Sequence, residues 1–297
     1  DPMMIVGSLA GAGTLGLLIP PSIIMIVYGV AADVSIARLF IAGVIPGILL
    51  TSLFMAYVGG WSLLNPKRVP PPEPRQSFAE KLRDTGSLIP VILLIVAVLG
   101  SIYVGIATPT EAAGVGVLGS LILALATGTL NWATFRDSVL GAAHTSCMIG
   151  FILAGAAFLT VAMGYTGIPR LLAEWITSMQ LSTAALLVVL TIFFVIMGCF
   201  LDGISMVVLT TSVIMPMVQK AGIDLLWFGI YIVIVVEMAQ ITPPVGFNLF
   251  VLQPMTGKDI FTIGKAAFPF FVVMALMVVL LWVFPELVTW LPSKMIG

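Results

Sequence analysis

The sequence predicts an all-α protein that crosses a membrane several times. Of its 297 residues, 60% are hydrophobic and only 8% are charged, whereas a soluble globular protein carries about 25% charged residues. Mean hydropathy is +1.20, and the apolar residues fall in runs close to the roughly 20 residues that a helix needs to cross a bilayer. No basic cluster indicates nucleic-acid binding. One histidine, without a zinc or phosphate-binding motif, gives enzymatic chemistry little to build on.

The apolar runs define the predicted elements along the chain. Uninterrupted spans are predicted at 36–64, 87–106, 112–127, 138–163, 181–200 and 266–284. The run at 3–31 is broken by prolines, and the run at 204–217 is too short to cross a bilayer. Two half-helices are predicted at 225–239 and 247–256. The sequence therefore predicts a bundle in which some helices are continuous and others are broken.

The one sizeable hydrophilic segment is the loop 65–86. It contains five basic and three acidic residues, and a basic excess in a short loop predicts the cytoplasmic side of the membrane. Residues 77–84, SFAEKLRD, are amphipathic enough for a short interfacial helix, although a plain solvated connector fits the same residues.

Two proline pairs interrupt apolar runs, Pro20-Pro21 and Pro243-Pro244. Proline has no backbone N–H and clashes with the preceding turn, so each pair opens its helix. A packed kink repaired by a neighbouring hydroxyl is one interpretation. Two such breaks beside small and hydroxyl residues favour the half-helices of transporters, whose exposed carbonyls bind cations.

A polar cluster at 198–205 lies between two other apolar runs, 181–200 and 204–217. It predicts a re-entrant hairpin with a polar tip, which membrane proteins tolerate only where the tip is buried in protein or faces a cavity. Asp202, within this cluster, is both a functional candidate and a candidate helix cap, and these two roles are compatible.

Three other polar residues lie in or near apolar runs. Glu237 precedes the second proline pair and is predicted either to face a cavity or to pair within the bundle. Glu111, in the segment Thr108-Pro109-Thr110-Glu111, is predicted to cap a helix start. His144 is predicted to be a hydrogen-bonded packing residue rather than a proton relay.

A repeated plan of hairpin followed by broken helix would account for both proline pairs. Gly198 precedes Pro243 by 45 residues. A hairpin tip at the same distance before Pro20, the matching proline of the first half, would fall before residue 1. We therefore expect the chain, which opens at Asp1-Pro2, to correspond to part of a longer protein. The predicted organisation is the end of a first repeat (1–64), a loop (65–86) and a second repeat (87–297), whose hairpin lies at about 181–217 and whose broken helix lies at about 225–256.

Four motifs in this order resemble one family. They are GTLGLLIPPS, ATPTEAA, MGCFLDGISMVVLTTSVIMPM and QITPPVGFNLFVLQ. The chain resembles the C-terminal two-thirds of the large membrane permease subunit of TRAP (tripartite ATP-independent periplasmic) transporters. The resemblance implies an inverted-repeat, elevator-type transporter in the bacterial inner membrane. It also implies sodium-driven uptake of an organic acid, a periplasmic substrate-binding protein and a small four-helix membrane subunit as partners.

The resemblance also implies sodium sites where a hairpin tip meets a broken helix. One site would use Gly198, Ala239, Thr242 and Val245. The other would use Gly16, Ile19 and Pro21, together with a hairpin that precedes this chain. Ser22, Asp202 and Asn248 are the expected contacts of the carboxylate substrate.

Three other classes of membrane protein fit the sequence less well. Divalent anion/sodium symporters share hairpins and broken helices, but they typically carry Ser-Asn-Thr at the tips, which this sequence lacks. An ion channel would require a polar pore-lining stripe, which is not evident. An intramembrane aspartyl protease would require a second membrane aspartate beside Asp202.

Overall fold

The computed structural model describes residues 1–69, 77, 85–179, 181–244 and 246–295, and the regular elements in these ranges are helical. Short 3-10 turns occur at Pro66–Arg68, Thr85–Ser87 and Pro292–Lys294. In chain order the α-helices are α1 (Pro2–Leu18), α2 (Ile23–Ala31), α3 (Ile36–Leu64), α4 (Ile89–Tyr103), α5 (Pro109–Ala126), α6 (Trp132–Thr166), α7 (Ile168–Ser178), α8 (Thr183–Gly198), α9 (Gly203–Lys220), α10 (Leu225–Gln240), α11 (Phe247–Thr256), α12 (Ile260–Val283) and α13 (Glu286–Thr289).

Side-chain caps explain where most of these helices begin. A serine, threonine or aspartate oxygen accepts a backbone N–H of the first turn, which satisfies one of the orphan donors at the helix start. At α5 the Thr108 hydroxyl accepts from the N–H of Glu111, and the Glu111 carboxylate accepts from the N–H of Thr108. This capping box confirms the predicted helix start. The N-cap residues whose side chains accept such a bond include Asp1, Ser22, Ser35, Thr108, Ser182, Asp202, Asp224 and Asp259.

The described residues include five helices that are long and apolar enough to cross a membrane, namely α3, α5, α6, α9 and α12. Helices α1 and α2 meet at a 44° bend and count as a sixth if they form one broken span. The prediction of a multi-pass all-α membrane protein is therefore confirmed by length and composition.

Three predicted lengths were wrong. The 181–200 run is predicted to be a span, yet α8 contains only 16 residues. The 204–217 run is predicted to be too short to cross, yet α9 continues to Lys220 and is 18 residues long. The 87–106 run was judged a clean span, yet α4 contains only 15 residues. It ends at Tyr103 because Gly105 adopts a positive φ of 73° and turns the chain. Helix α7 was not predicted at all.

The chain divides into two compact units by its internal contacts. One unit comprises residues 1–65 and 149–293, and the other comprises 66–148 and 294–297. In the smaller unit, α4 packs against α5. This division follows packing rather than repeats, so the predicted repeat boundaries stay a prediction. The predicted interfacial helix, SFAEKLRD, lies outside the described residues apart from Ser77.

Helix α10 is the central helix of the larger unit. Its residues 226–239 are all buried, and it packs against α1, α2, α3, α8, α9 and α12. Long-range hydrogen bonds connect it to its neighbours. Among them, the Tyr231 hydroxyl donates to the Leu187 carbonyl at 2.9 Å, and the Trp227 indole N–H donates to the Leu281 carbonyl at 3.1 Å. A helix that is apolar on every side is expected only where protein or lipid surrounds it completely. Here protein surrounds it.

Candidate functional site

The first break, residues 19–22, separates α1 from α2. An α-helix N–H bonds the carbonyl four residues earlier, so Pro20 and Pro21 leave the carbonyls of Gly16 and Leu17 without that partner. The Ser22 hydroxyl donates to the Leu17 carbonyl and also accepts the Met25 N–H at 3.3 Å. Among the described residues no donor reaches the Gly16 carbonyl. The break therefore leaves an exposed acceptor at Gly16, a residue of the second predicted sodium site.

The second break, residues 241–246, separates α10 from α11. Pro243 and Pro244 deprive the carbonyls of Ala239 and Gln240 of their helical partners. The Ala239 carbonyl accepts the Thr242 N–H at 3.1 Å instead. The Thr242 hydroxyl donates to the Met238 carbonyl at 2.7 Å, so its lone pairs stay available to a cation. Both Pro-Pro peptide bonds, at the first and second breaks, are cis.

Close backbone neighbours account for the glycine of the QITPPVGFN motif, Gly246. A Cβ atom at Gly246 would lie 2.7 Å from the Gln240 carbonyl oxygen and 2.8 Å from the Thr242 carbonyl oxygen. A side chain at this position would therefore displace one of the two carbonyls. Glycine leaves room for both oxygens beside its α-carbon, and carbonyl oxygens are the kind of ligand that a hard monovalent cation prefers.

The turn between α8 and α9, residues 199–202, which the sequence predicts to be a hairpin tip, lies against the second break. A Cβ atom at Gly198 would be only 2.2 Å from the Cβ of Ala239. The Cys199 thiol donates to the Pro243 carbonyl at 3.3 Å. The structure thus brings together three residues of the first predicted sodium site, Gly198, Ala239 and Thr242. The fourth, Val245, lies outside the described residues.

The start of α9 also contacts both broken helices. A Cβ atom at Gly203 would lie 2.6 Å from Val236 Cγ1, 3.0 Å from Gln240 Nε2 and 3.2 Å from Ile24 Cδ1. Ile24 belongs to the first broken helix, and the other two residues belong to the second. The first residue of α9 therefore contacts both α2 and α10.

The second predicted sodium site lies at the first break. Gly16 has no atom of another element within 4 Å of its Cβ position, and Ile19 packs against Gly47 of α3, with Ile19 Cγ1 at 3.1 Å from the Gly47 Cβ position. Pro21 is exposed. Gly16 has no close neighbour of the kind that Gly198 has in Ala239, and the ligand role of these three residues stays a prediction.

The three expected substrate contacts differ in their exposure and in the hydrogen bonds that their side chains already make. Ser22 is 1% exposed, and its hydroxyl is occupied by the Leu17 carbonyl and the Met25 N–H. Asp202 is exposed and caps α9 through one carboxylate oxygen, Oδ2, at 3.0 Å from the Ile204 N–H and 3.1 Å from the Ser205 N–H. Its capping role is confirmed, and within the described part of the chain Oδ1 makes no hydrogen bond. The half-buried Asn248 amide approaches the Ala10 carbonyl of α1 at 3.5 Å.

Sequence reasoning missed Cys199 and Gln240 at this junction, and it placed Gly203 only within the polar cluster predicted for the hairpin tip. Cysteine carries no signal for a thiol–carbonyl contact with a residue 44 positions away, and a glycine reveals a close approach only once its neighbour is known. The prediction for His144 was wrong, since it lies exposed on α6 and makes no hydrogen bond within the described part of the chain.

Comparison with known proteins identifies the family. The family model described as the DctM component of the tripartite ATP-independent periplasmic transporter matches residues 2–287. The chain belongs to the DctM family. The resemblance drawn from the four motifs is therefore confirmed over nearly the whole chain.

Three relatives of this DctM-family chain show how far the likeness extends. It is 34% identical over 288 residues to the C4-dicarboxylate TRAP transporter large permease protein DctM of Pseudomonas aeruginosa, covering 97% of this chain and 67% of that protein. It is 32% identical to the ectoine/5-hydroxyectoine large permease UehC of Ruegeria pomeroyi, covering 95% and 66%. It is 28% identical to the sialic acid permease SiaT of Haemophilus influenzae, covering 98% and 47%. These relatives are named as transporter permeases, as expected for a chain that is not an enzyme.

Proposed function

We propose that this DctM-family chain forms the sodium-binding and substrate-binding part of the large permease in a sodium-driven importer of organic carboxylates. The observation that carries the proposal is the contact between the hairpin tip and the second break. There Gly198 meets Ala239, and the carbonyls of Gln240 and Thr242 converge on Gly246. Unwound backbone at membrane depth supplies oxygen ligands without a formal charge, which is how secondary transporters hold sodium.

The proposed substrate is a carboxylate that sits between the hairpin tip and the two breaks. The relatives carry names with different substrates, C4-dicarboxylate, ectoine and sialic acid, so the likeness to them supports a substrate class rather than one compound. Asn248 offers an amide donor on the side of α11. The Asp202 carboxylate would repel a substrate anion unless a cation or a substrate hydroxyl lay between them, so we assign Asp202 to orientation rather than to charge pairing.

The transport cycle that we propose is an elevator movement. The hairpin and both broken helices would move as one body, because Gly203 contacts residues of α2 and α10 at once. A periplasmic binding protein would deliver the substrate in the tripartite system for which the family is named, and a small four-helix membrane subunit would pack against the permease. The proposed location is the bacterial inner membrane.

Sodium coupling is tested by substrate counterflow or uptake in proteoliposomes that contain the complete permease, its small subunit and the cognate binding protein. We expect uptake to require an inward sodium gradient and to fall to background when choline replaces sodium at equal ionic strength. Uptake that is unchanged in choline would overturn the coupling. Omitting the binding protein serves as a matched control for substrate delivery.

The side chain of Thr242 gives a second test. Thr242→Val keeps the shape of the side chain but removes the hydroxyl, so we expect the half-saturating sodium concentration to rise about fivefold to tenfold, equivalent to roughly 1 kcal/mol. The control is Thr51→Val on α3, whose hydroxyl makes the same kind of bond to a carbonyl four residues earlier, at 2.8 Å from the Gly47 oxygen. A normal sodium response in Thr242→Val would show that its hydroxyl is not a ligand and would leave its carbonyl as the remaining contact.

A further inference from the structure

The side-chain amide of Gln240 has no role in the sites proposed above. Gln240 is the last residue of α10, and it is half-buried, whereas residues 226–239 before it are all buried. A Cβ atom at Gly203, the first residue of α9, would lie 3.0 Å from Gln240 Nε2. The amide therefore lies beside both the start of α9 and the second break, the elements between which the substrate is proposed to bind.

The surroundings of this amide are apolar. Val236 Cγ1 and Ile24 Cδ1 lie 2.6 Å and 3.2 Å from the same Cβ position at Gly203. Within the ranges that the structure describes, neither the amide N–H groups nor the amide oxygen makes a hydrogen bond. Removing a polar group from water without giving it a new partner costs free energy, and helix packing alone would accept an apolar side chain here. The amide is therefore available to a ligand.

The chemistry of an amide limits which part of a substrate it can bind well. An amide carries both a hydrogen-bond donor and an acceptor, and so does a hydroxyl group. A carboxylate only accepts, so beside Gln240 it would leave the amide oxygen unpaired and facing another oxygen. Gln240 is therefore better matched to a substrate hydroxyl than to a substrate carboxylate.

Asp202, which directly precedes Gly203, favours the same kind of group. Its Oδ2 accepts the N–H groups of Ile204 and Ser205. A carboxylate accepts hydrogen bonds from hydroxyl groups, and it repels a second carboxylate at short range. The polar side chains on both sides of Gly203, Asp202 in sequence and Gln240 in space, thus favour a hydroxylated part of the substrate.

We propose that Gln240 is a specificity-determining residue that hydrogen-bonds a hydroxyl group of the substrate, so that this chain selects hydroxylated carboxylic acids over their deoxy counterparts. The inference rests on the proposed import of organic carboxylates, and it adds a contact for a part of the substrate other than its carboxylate. A substrate hydroxyl pairs with the amide. A methylene group in the same place excludes water and leaves the amide without a partner.

The test compares acids that differ only in their hydroxyl groups. The pairs are malate with succinate, lactate with propionate, and gluconate with hexanoate. The complete permease and its small subunit are purified in detergent at saturating sodium, without the binding protein, whose own selectivity would otherwise contribute. The half-saturating concentration of each acid is measured from the rise in the thermal unfolding midpoint. The preference ratio is the value for the deoxy acid divided by the value for the hydroxylated acid.

For the wild type we expect a preference ratio of roughly tenfold or more in at least one pair. Gln240→Leu removes the amide but keeps a side chain of similar size, and we expect it to lower that ratio to about threefold or less, because the hydroxylated acid loses a hydrogen bond. A purely structural role would weaken both acids equally and leave the ratio unchanged.

Gln253→Leu on α11 is the matched control. Gln253 is also half-buried, and its side chain makes no hydrogen bond to any described residue. We expect this variant to keep the ratio of the wild type. An equal fall in both leucine variants would overturn the specific role of Gln240.

Gln240→Met decides the question if Gln240→Leu does not fold. Methionine is unbranched and close to glutamine in length, forms helices well, and has no N–H donor. We expect the same fall in the preference ratio. A methionine variant that keeps the ratio of the wild type would overturn the proposal.

The outcomes separate this inference from the proposed function. A wild-type ratio near one, or a ratio unchanged in Gln240→Leu, would overturn the role of Gln240 and leave carboxylate import standing. If none of the hydroxylated acids raises the midpoint, the assignment of hydroxylated carboxylic acids fails. The proposed import is then still judged by its own dependence on sodium.

Discussion

Gly198→Ala is expected to reduce sodium-driven uptake at least tenfold while leaving a folded permease. The added Cβ would lie 2.2 Å from the Ala239 Cβ, well inside any real contact between two carbon atoms. The tip of α8 and the end of α10 must therefore move apart. The expected destabilisation is that of an overpacked contact, about 1–3 kcal/mol. The larger effect falls on transport, because the sodium ligands proposed at the second break depend on that close approach.

A compensating substitution separates this explanation from a general effect of alanine. The double variant Gly198→Ala with Ala239→Gly moves the methyl group from one helix to the other and restores the space between them. We expect it to recover most of the uptake, with a residual loss of stability of roughly 1 kcal/mol for a glycine inside α10. Gly59→Ala on α3, where a Cβ meets nothing within 4 Å, should behave as the wild type. A double variant no better than Gly198→Ala would show that the contact is not what limits transport.

Gly7→Ala is expected to produce the largest loss of stability among single-methyl additions. A Cβ at Gly7 would lie 2.1 Å from the carbonyl oxygen and 2.8 Å from the carbonyl carbon of Ala266 on α12. The atoms in the way are backbone, so no rotamer change can make room, and α1 as a whole must shift away from α12. Small residues at such crossings are what allow membrane helices to pack closely.

The measurement is the unfolding midpoint of the purified complex, together with the yield of folded permease. We expect Gly7→Ala to unfold at a clearly lower temperature, with a cost at or above the upper end of the roughly 1–3 kcal/mol typical of overpacking. Gly60→Ala on α3 is the control, since its Cβ position is open and alanine is the better helix former. Equal midpoints for the two variants would contradict the close α1–α12 packing.

Local chemistry explains which features the sequence revealed. The two breaks follow from the missing N–H of proline, and the start of α5 follows from the threonine and glutamate of its capping box. Helix α3 begins and ends where the hydropathy pattern placed it, at Ile36 and Leu64. Each of these features depends on residues within a few positions of one another, so no knowledge of the fold is needed.

Other features required the fold. The pattern ended the helix before α10 at residue 217, whereas α9 continues to Lys220. It left Glu237 undecided between facing a cavity and pairing within the bundle. It marked Asp202 both as a cap and as a functional group, and only the hydrogen bonds to Ile204 and Ser205 separated the confirmed role from the one that stays a prediction.

By itself, the sequence determined a multi-pass helical protein of the DctM family, the positions where two helices break, and the carbonyls that each break releases. The tertiary structure alone decided that Gly198 meets Ala239, that Gly203 touches both broken helices, and that the carboxyl of Glu237 is buried beside the end of α1. The reason is physical. A missing N–H acts on its own turn of helix and can be located from neighbouring residues. The space beside a glycine or the counter-charge of a carboxylate depends on atoms that the fold brings from distant parts of the chain.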